Sequence, residues 1–271
     1  AAGLLNPIQL GDEWTWDTYL ASARALTLRD GEGNPIQFGT IDQRFRWEQV
    51  VHQAGGMVYD RHVFPTESRF NSPEVLTGIE FRMQMYNEGL IATTGGVWAG
   101  NTALTMIDPP TIINKLQGDF YMDVALQPKG PGGRGGTVNP DGFQIHSHSP
   151  HKEEAWKWIE FLVTDEEGLM EFAILTGRLP SLRNAMLRYD EVGEARNELT
   201  PNWMALIEST FSADAIPPYV VPNVAITSAV SSTLSEIWNG ILLKMVSPAL
   251  LTQLDLPVNF RIPPKTQPLR K

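Results

Sequence analysis

The chain contains no cysteine, which excludes disulfide frameworks, thiolate nucleophiles and cysteine-ligated zinc while leaving every compartment open. Long apolar runs are also missing: stretches such as Gly240 to Leu243 fall far short of the roughly 20 residues a membrane-spanning helix needs. Basic charge is scarce, with 21 Lys and Arg against 31 Asp and Glu for a net −10. A chain of that sign carries no electrostatic footprint for a phosphate backbone, so nucleic acid is not an expected partner. No charged leader with a following apolar segment opens the sequence, which reads as a mature form, a cytoplasmic protein or a truncated one. What is present suits a globular protein: 271 residues at 42% hydrophobic content are enough for one large core or two modest ones.

Local signals alternate between helix and strand along the whole length, which predicts an α/β layer structure. Thr15 is placed to cap a helix carrying Trp16, Tyr19, Leu20, Ala23 and Leu26 on one face. Ile36 to Gly39 reads as a strand, and Ile41 to Ala54 as a helix with Phe45, Trp47, Val50 and Val51. Ser72-Pro73 opens a longer helix with Leu76, Ile79, Met83, Tyr86 and Leu90 on its buried side. Thr102 to Ile107 and Tyr121 to Gln127 are strand candidates, with a short helical segment at Thr111 to Leu116 between them. Further on, Thr200-Pro201 caps a helix bearing Met204, Leu206, Ile207 and Phe211, and about Asn223 to Gly240 forms another with Ile226, Val230, Leu234 and Ile237 as its stripe.

The densest signals lie between Gly130 and Gly177. Gly130 to Gly136 holds five glycines and should be a mobile connection, and Asn139-Pro-Asp-Gly142 is a tight turn. Phe143 to Ile145 is then a short strand. Ser149-Pro150 predicts a helix start, with Ala155, Trp158, Ile159 and Leu162 giving one buried face. Thr164-Asp-Glu-Glu167 reads as a capping box for a second helix, which Gly177 ends.

In order, these motifs (the glycine loop, the D-G-F turn, HKEEAWKWIEFLVTDEEG, then TGRLPSLRNA, with FNSPE upstream) resemble the bacterial extracellular solute-binding proteins of sugar-binding ABC transporters. The resemblance implies the type II periplasmic-binding-protein fold, α/β and two-lobed. Residues 1–122 and 168–250 would belong to the C-terminal lobe, and 123–167 would be a fragment of the N-terminal lobe that includes a hinge crossing. Residues 251–271 are an irregular tail. Relatives carry an export signal, a lipidated cysteine in Gram-positive forms and a first-lobe segment ahead of the part that resembles Ala1 to Leu5.

The resemblance also implies site residues. Phe38 to Trp47 is similar to the segment that, in maltose-binding members, supplies a carboxylate and an aromatic to the sugar; Asp42 matches the carboxylate, Arg44 stands in the aromatic's place, and Trp47 matches a tryptophan that closes the motif. Asp42 equally suits a helix cap, and Arg44 a solvated charge. Pro110 stands where relatives have a stacking tryptophan. Asp141, Gly142 and Phe143 match the hinge turn, and Arg178 a loop near the cleft, though an arginine there also stabilises a helix C-terminus. Tyr219 is a candidate from its loop position. A sugar site needs flat apolar faces plus planar groups that share paired hydrogen bonds with vicinal hydroxyls, and these residue types supply both.

His146, His148 and His151 are spaced for a metal, but a solvated strand-to-helix loop fits them better, and no metal or other cofactor is expected. The expectation is therefore a non-catalytic monomer that binds a sugar or oligosaccharide for an ABC permease. It would work in the periplasm or outside the cell, anchored in lipidated forms by a cysteine ahead of Ala1. A carbohydrate-active or metal-dependent hydrolase, or a truncated lobe without a complete site, are the alternatives.

Overall fold

The structure, a computed structural model, describes residues 3–41, 46–93, 99–106, 122–195, 202–220 and 240. The chain divides into two compact units, one of residues 1–105, 127–138 and 212–271, the other of residues 106–126 and 139–211.

In the first unit, α1 (Pro7–Leu10) starts at Asn6, whose side chain accepts from the Gln9 amide while the Gln9 side chain returns the bond. Thr15 and Thr18 exchange the same pair of bonds at the head of α2 (Trp16–Leu26). The sheet follows as β1 (Leu28–Arg29), β2 (Pro35–Ile41), β3 (Ile91–Ala92) and β4 (Thr102–Leu104). β1 pairs antiparallel with β2, whereas β3 and β4 pair parallel with β2 in the registers Thr40 to Ile91 and Phe38 to Thr102. α2 lies against β2 so closely that Gly39 is required: a β-carbon there would sit 2.1 Å from the Ala23 carbonyl oxygen.

α3 (Trp47–Gln53) and α4 (Pro73–Asn87) supply the rest of the core. Ser72 caps α4 by accepting from the Val75 amide, with Pro73 in the first turn as expected. The buried face of α4 is rotated from the expected one: Val75, Gly78, Ile79, Arg82, Met83 and Met85 are buried, while Leu76 and Tyr86 are only partly covered. Gly78 explains the rotation, because α3 crosses there at backbone contact, 2.6 Å from a β-carbon at Gly78 to the Val50 oxygen. Val51, Phe70, Val75 and Ile79 are fully buried around this crossing. Ile41 ends β2 instead of beginning a helix.

The glycine loop is packed, not free. The Gly132 amide donates to the Gln53 carbonyl at 2.7 Å, and added β-carbons at Gly130 or Gly132 would strike the backbone of Gln53 or Gly55. Arg134 anchors the loop from within by donating to the carbonyls of Gln127 and Gly11 at 2.6 and 2.9 Å. Its glycines serve close approach to α3, where motion was expected of them.

The described part of the second unit is helical: α5 (Lys152–Thr164), α6 (Glu166–Thr176), α7 (Arg183–Met186), α8 (Asp190–Ala195) and α9 (Met204–Phe211). α5 and α6, which the resemblance assigns to different lobes, both fall in this unit. Its core gathers Leu169, Met170, Ala173, Ala185, Tyr189, Val192 and Trp203. Tyr189 meets Trp203 edge to face at 5.6 Å and donates from its hydroxyl to the Gly177 carbonyl.

Several expectations are corrected here. The α6 cap is Asp165, which accepts from the Gly168 amide at 2.7 Å, because Thr164 is still in α5 and donates to the Glu160 carbonyl. Gly177 ends α6 in the left-handed region, as expected. α5 begins after His151 rather than at Pro150, since Ser149 folds back to accept from the His151 amide. Phe143 to Ile145 and Met122 to Gln127 find no strand partner among the described residues. No residue of α5 is buried: Trp158 is 60% exposed and stacked on Phe161 at 5.6 Å. Among the described residues of this unit there is no strand, so the stripe lacks the sheet face that an α/β layer would lay against it. The expected elements at Thr111 to Leu116 and about Asn223 to Gly240, apart from Gly240 itself, and the tail lie outside the described residues.

Candidate ligand-binding site

Asp42, Arg44 and Pro110 lie outside the described residues. Trp47, at the start of α3, is 7% exposed and packs its ring on Phe70 with centroids 5.8 Å apart. Such a ring holds the entry to α3 in place and leaves little face for a ligand.

In the second unit the turn after Asn139 and the end of α6 come together. Asp141 forms an ion pair with Arg178, and both side chains keep about half of their surface open. Arg178 is placed there by the left-handed turn at Gly177, after which its amide donates to Thr176 Oγ1 at 3.3 Å. Phe143 is 48% exposed and touches Phe172 edge-on at 6.3 Å. A β-carbon added at Gly142 would meet nothing within 4 Å. This group offers carboxylate acceptors, guanidinium donors and an apolar ring, which are the means of holding a polyhydroxylated ligand.

In the first unit, Tyr219 is brought into a cluster that the sequence reading missed. Its ring stacks on His62 at 4.7 Å, meets Tyr59 edge-on at 5.1 Å and lies 5.7 Å from His52. Its hydroxyl accepts from the Val58 amide at 3.1 Å. Glu48 stands one turn before His52 on α3. Burial pushes the Glu48 carboxyl up, and burial together with the Glu48 charge pushes Tyr59 up to about 12. A signal for the cluster did exist: α3 reads WEQVVHQ, and its polar Gln49, His52 and Gln53 are as deeply buried as its valines.

His146 and His148 sit in an exposed loop with ring centres 5.4 Å apart, and the His146 Nδ1 accepts from the His148 amide. Among the described residues no group of three or more His, Asp or Glu is placed to hold a metal ion, and no helix is long and apolar enough to cross a membrane.

The family model of bacterial extracellular solute-binding proteins matches residues 1–168. The chain belongs to that family. No curated protein matches it. Among solved structures, an ABC substrate-binding protein of Listeria monocytogenes in complex with cycloalternan is similar with a TM-score of 0.75 at 20% identity, over 96% of this chain and 66% of that one. A cyclic α-maltosyl-1,6-maltose binding protein of Arthrobacter globiformis follows with a TM-score of 0.68 at 19% identity, over 96% and 66%. The sugar-binding protein MalE of Xanthomonas citri gives 0.65 at 18% identity, over 96% and 65%. Identities this low establish the fold, which is the α/β type II periplasmic-binding-protein fold. The solute-binding chain spans slightly less than two thirds of the length of these structures.

Proposed function

We propose that the protein is the substrate-binding component of an ABC importer, working outside the cytoplasm as a monomer. It captures a sugar or oligosaccharide without catalysis and presents it to membrane permease subunits. The observation that carries this reading is the match of the solute-binding family over residues 1–168. The fold likeness to proteins solved with cycloalternan or described as binding cyclic α-maltosyl-1,6-maltose supports carbohydrate as the ligand class. In this reading the ligand contacts come from Asp42, Arg44, Pro110, Asp141, Gly142, Phe143, Arg178 and Tyr219. Trp47 serves from the core, by fixing the start of α3 against Phe70.

A thermal-shift screen of mono- and oligosaccharides, with polyols and amino acids as controls, tests it. A ligand specific for the native state stabilises by about 2.7 kcal/mol at a hundredfold excess over its Kd. The expected result is a shift with one carbohydrate class, reduced in Asp141→Ala and Phe143→Ala, and ligand recovered chemically unchanged. Release of a cleaved product, or a shift only with amino acids, would refute the proposal.

A further inference from the structure

The cluster around Tyr219 has the construction of a pH-sensitive latch. Residues 215–220 run along the first unit as a strap, tied at three points to the 57–64 stretch. The Val220 amide donates to the His62 carbonyl at 2.7 Å, the Phe64 amide to the Val220 carbonyl at 3.0 Å, and the Val58 amide to the Tyr219 hydroxyl at 3.1 Å. The first of these ties ends on the His62 backbone, and the third ends on Tyr219, whose ring lies against His62 and near His52. His62 lies face to face with Tyr219, and its Nδ1 is buried without a hydrogen-bond partner. His52, 4% exposed, has its ring centre 6.2 Å from that of His62 and directs Nδ1 at the Gly56 carbonyl, 3.0 Å away.

We propose that His52 and His62 form an acid-sensitive latch: as neutral rings they hold the 215–220 strap against α3 and the 57–64 stretch, and on protonation they release it. An imidazolium donates from both nitrogens and needs an acceptor at each; in the half-buried His62 the Nδ1 is buried without one. Two imidazolium rings this close also repel each other. Burial already pushes both histidines below their ordinary value; the Gly56 carbonyl pulls His52 the other way, His62 pushes it down further, and the Pro217 carbonyl pulls His62 up.

The neighbouring charges do not rescue the protonated form. Glu48 on α3 is pushed up by burial, so it loses its charge in the same direction of pH in which the histidines gain theirs. Asp60 is held by Thr66 and the Glu67 amide and lies 3.7 Å from Arg61, and in the glycine loop Arg134 is turned to the Gly11 and Gln127 carbonyls while Asp214 accepts from the Arg134 amide. Phe64 adds tension to the latch. Its φ of +50° is a left-handed conformation that a bulky residue rarely keeps unless its surroundings enforce it, and its amide is held by the bond to Val220.

The sign follows from linkage. A histidine depressed in the folded state gives stability that is whole above its ordinary value and declines as pH falls toward the folded one. Opening of the strap should therefore grow by about tenfold for each unit by which an imidazole is depressed. Tyr219 is also a ligand contact in the proposed function, but the latch is read without ligand and so stands or falls separately from it.

Hydrogen exchange on the 271-residue protein, read by mass spectrometry at about pH 8 and about pH 5 and corrected for intrinsic rates, tests it. Peptides covering 57–64 and 215–220 should lose protection together in acid, while α4 keeps its own. His62→Phe retains a stacked ring without a titrating group, and His52→Asn retains a donor toward Gly56. The double variant should show no selective acid loss in the strap. Imidazole titrations of the unmodified protein by NMR give a second reading that needs no variant. An acid loss that persists in the double variant, equal loss across α4, or histidines that titrate at or above their ordinary value would overturn the latch.

Discussion

Gly39→Ala is a one-carbon change whose effect can be worked out from the contact between α2 and β2. The added carbon would lie 2.1 Å from the Ala23 oxygen and 2.6 Å from its carbonyl carbon, against 3.4 Å for ordinary contact, so helix and strand must part by 1.3 Å. Neither side can yield by rotating a side chain, because both atoms belong to backbone. Opening the gap strains two bonds that span it: the Gly39 amide to Thr27 Oγ1 at 3.0 Å, and Tyr19 Oη to Thr40 Oγ1 at 2.6 Å. Overpacking of this kind costs about 1–3 kcal/mol and a weakened hydrogen bond about 1 more, while alanine's preference over glycine in a strand returns less than about 1. The net loss is about 2–3 kcal/mol, or a fall of about 5–10 °C in the Tm of the first unit. Circular dichroism melts of Gly39→Ala beside Gly142→Ala measure it, since Gly142 meets nothing within 4 Å. If Gly39→Ala melts with the unmodified protein, the close approach that orients the end of β2 is not real. Asp42, a ligand contact in the proposed function, follows Ile41 in the sequence, so on that proposal the same variant should also weaken carbohydrate binding.

Trp47→Ala should destabilise the ligand-free protein by about 3–5 kcal/mol in urea titrations, and Trp47→Phe by much less, because the ring fills core against Phe70. A Trp47→Ala protein of unchanged stability would place that ring at the surface. Asp214→Asn should cost about 1–2 kcal/mol near neutral pH by weakening the bonds to Ser212 and the Arg134 amide. Burial alone would raise the Asp214 carboxyl, but those bonds and the Gly135 amide outweigh it and hold it below the usual value. The stability it gives is thus present above about pH 4 and lost as pH falls through the folded value, so the gap between variant and parent should close in acid. A gap that stays constant across that range would refute the assignment.

Local chemistry was legible wherever a few neighbouring residues decide the outcome. Thr15, Ser72-Pro73 and Gly177 each announce a helix end because the groups they satisfy lie within a turn of them. The single-residue shift at Asp165 shows the limit of such signals: Thr164 and Asp165 are both good caps, and the length of α5 decides between them. Distance in sequence hid the rest. Five glycines in seven residues read as freedom until Gln53 and Gly55 are seen against them. The ring of Tyr219 meets the 57–64 stretch across 161 residues of chain, and nothing local in His62 marks it as its partner. α5 failed differently. Its stripe was read correctly as apolar, but burial requires a second surface, and none is placed on it among the described residues.

On the proposed function, the ion pair of Asp141 and Arg178 has an energetic logic of its own. Exposed pairs contribute about 0–1 kcal/mol, so separating them for a ligand costs little. Hydrogen bonds from hydroxyls to a charged group are worth about 1.5–3 kcal/mol each when water is excluded. Free of ligand, each partner keeps the other oriented, so less side-chain freedom remains to be lost on binding. A ligand with vicinal hydroxyls can replace both halves of the pair at once. A ligand with a single hydroxyl would replace only one half and leave the other to water. Selection for diols over simple alcohols then follows from the pair itself, without any further stacking face.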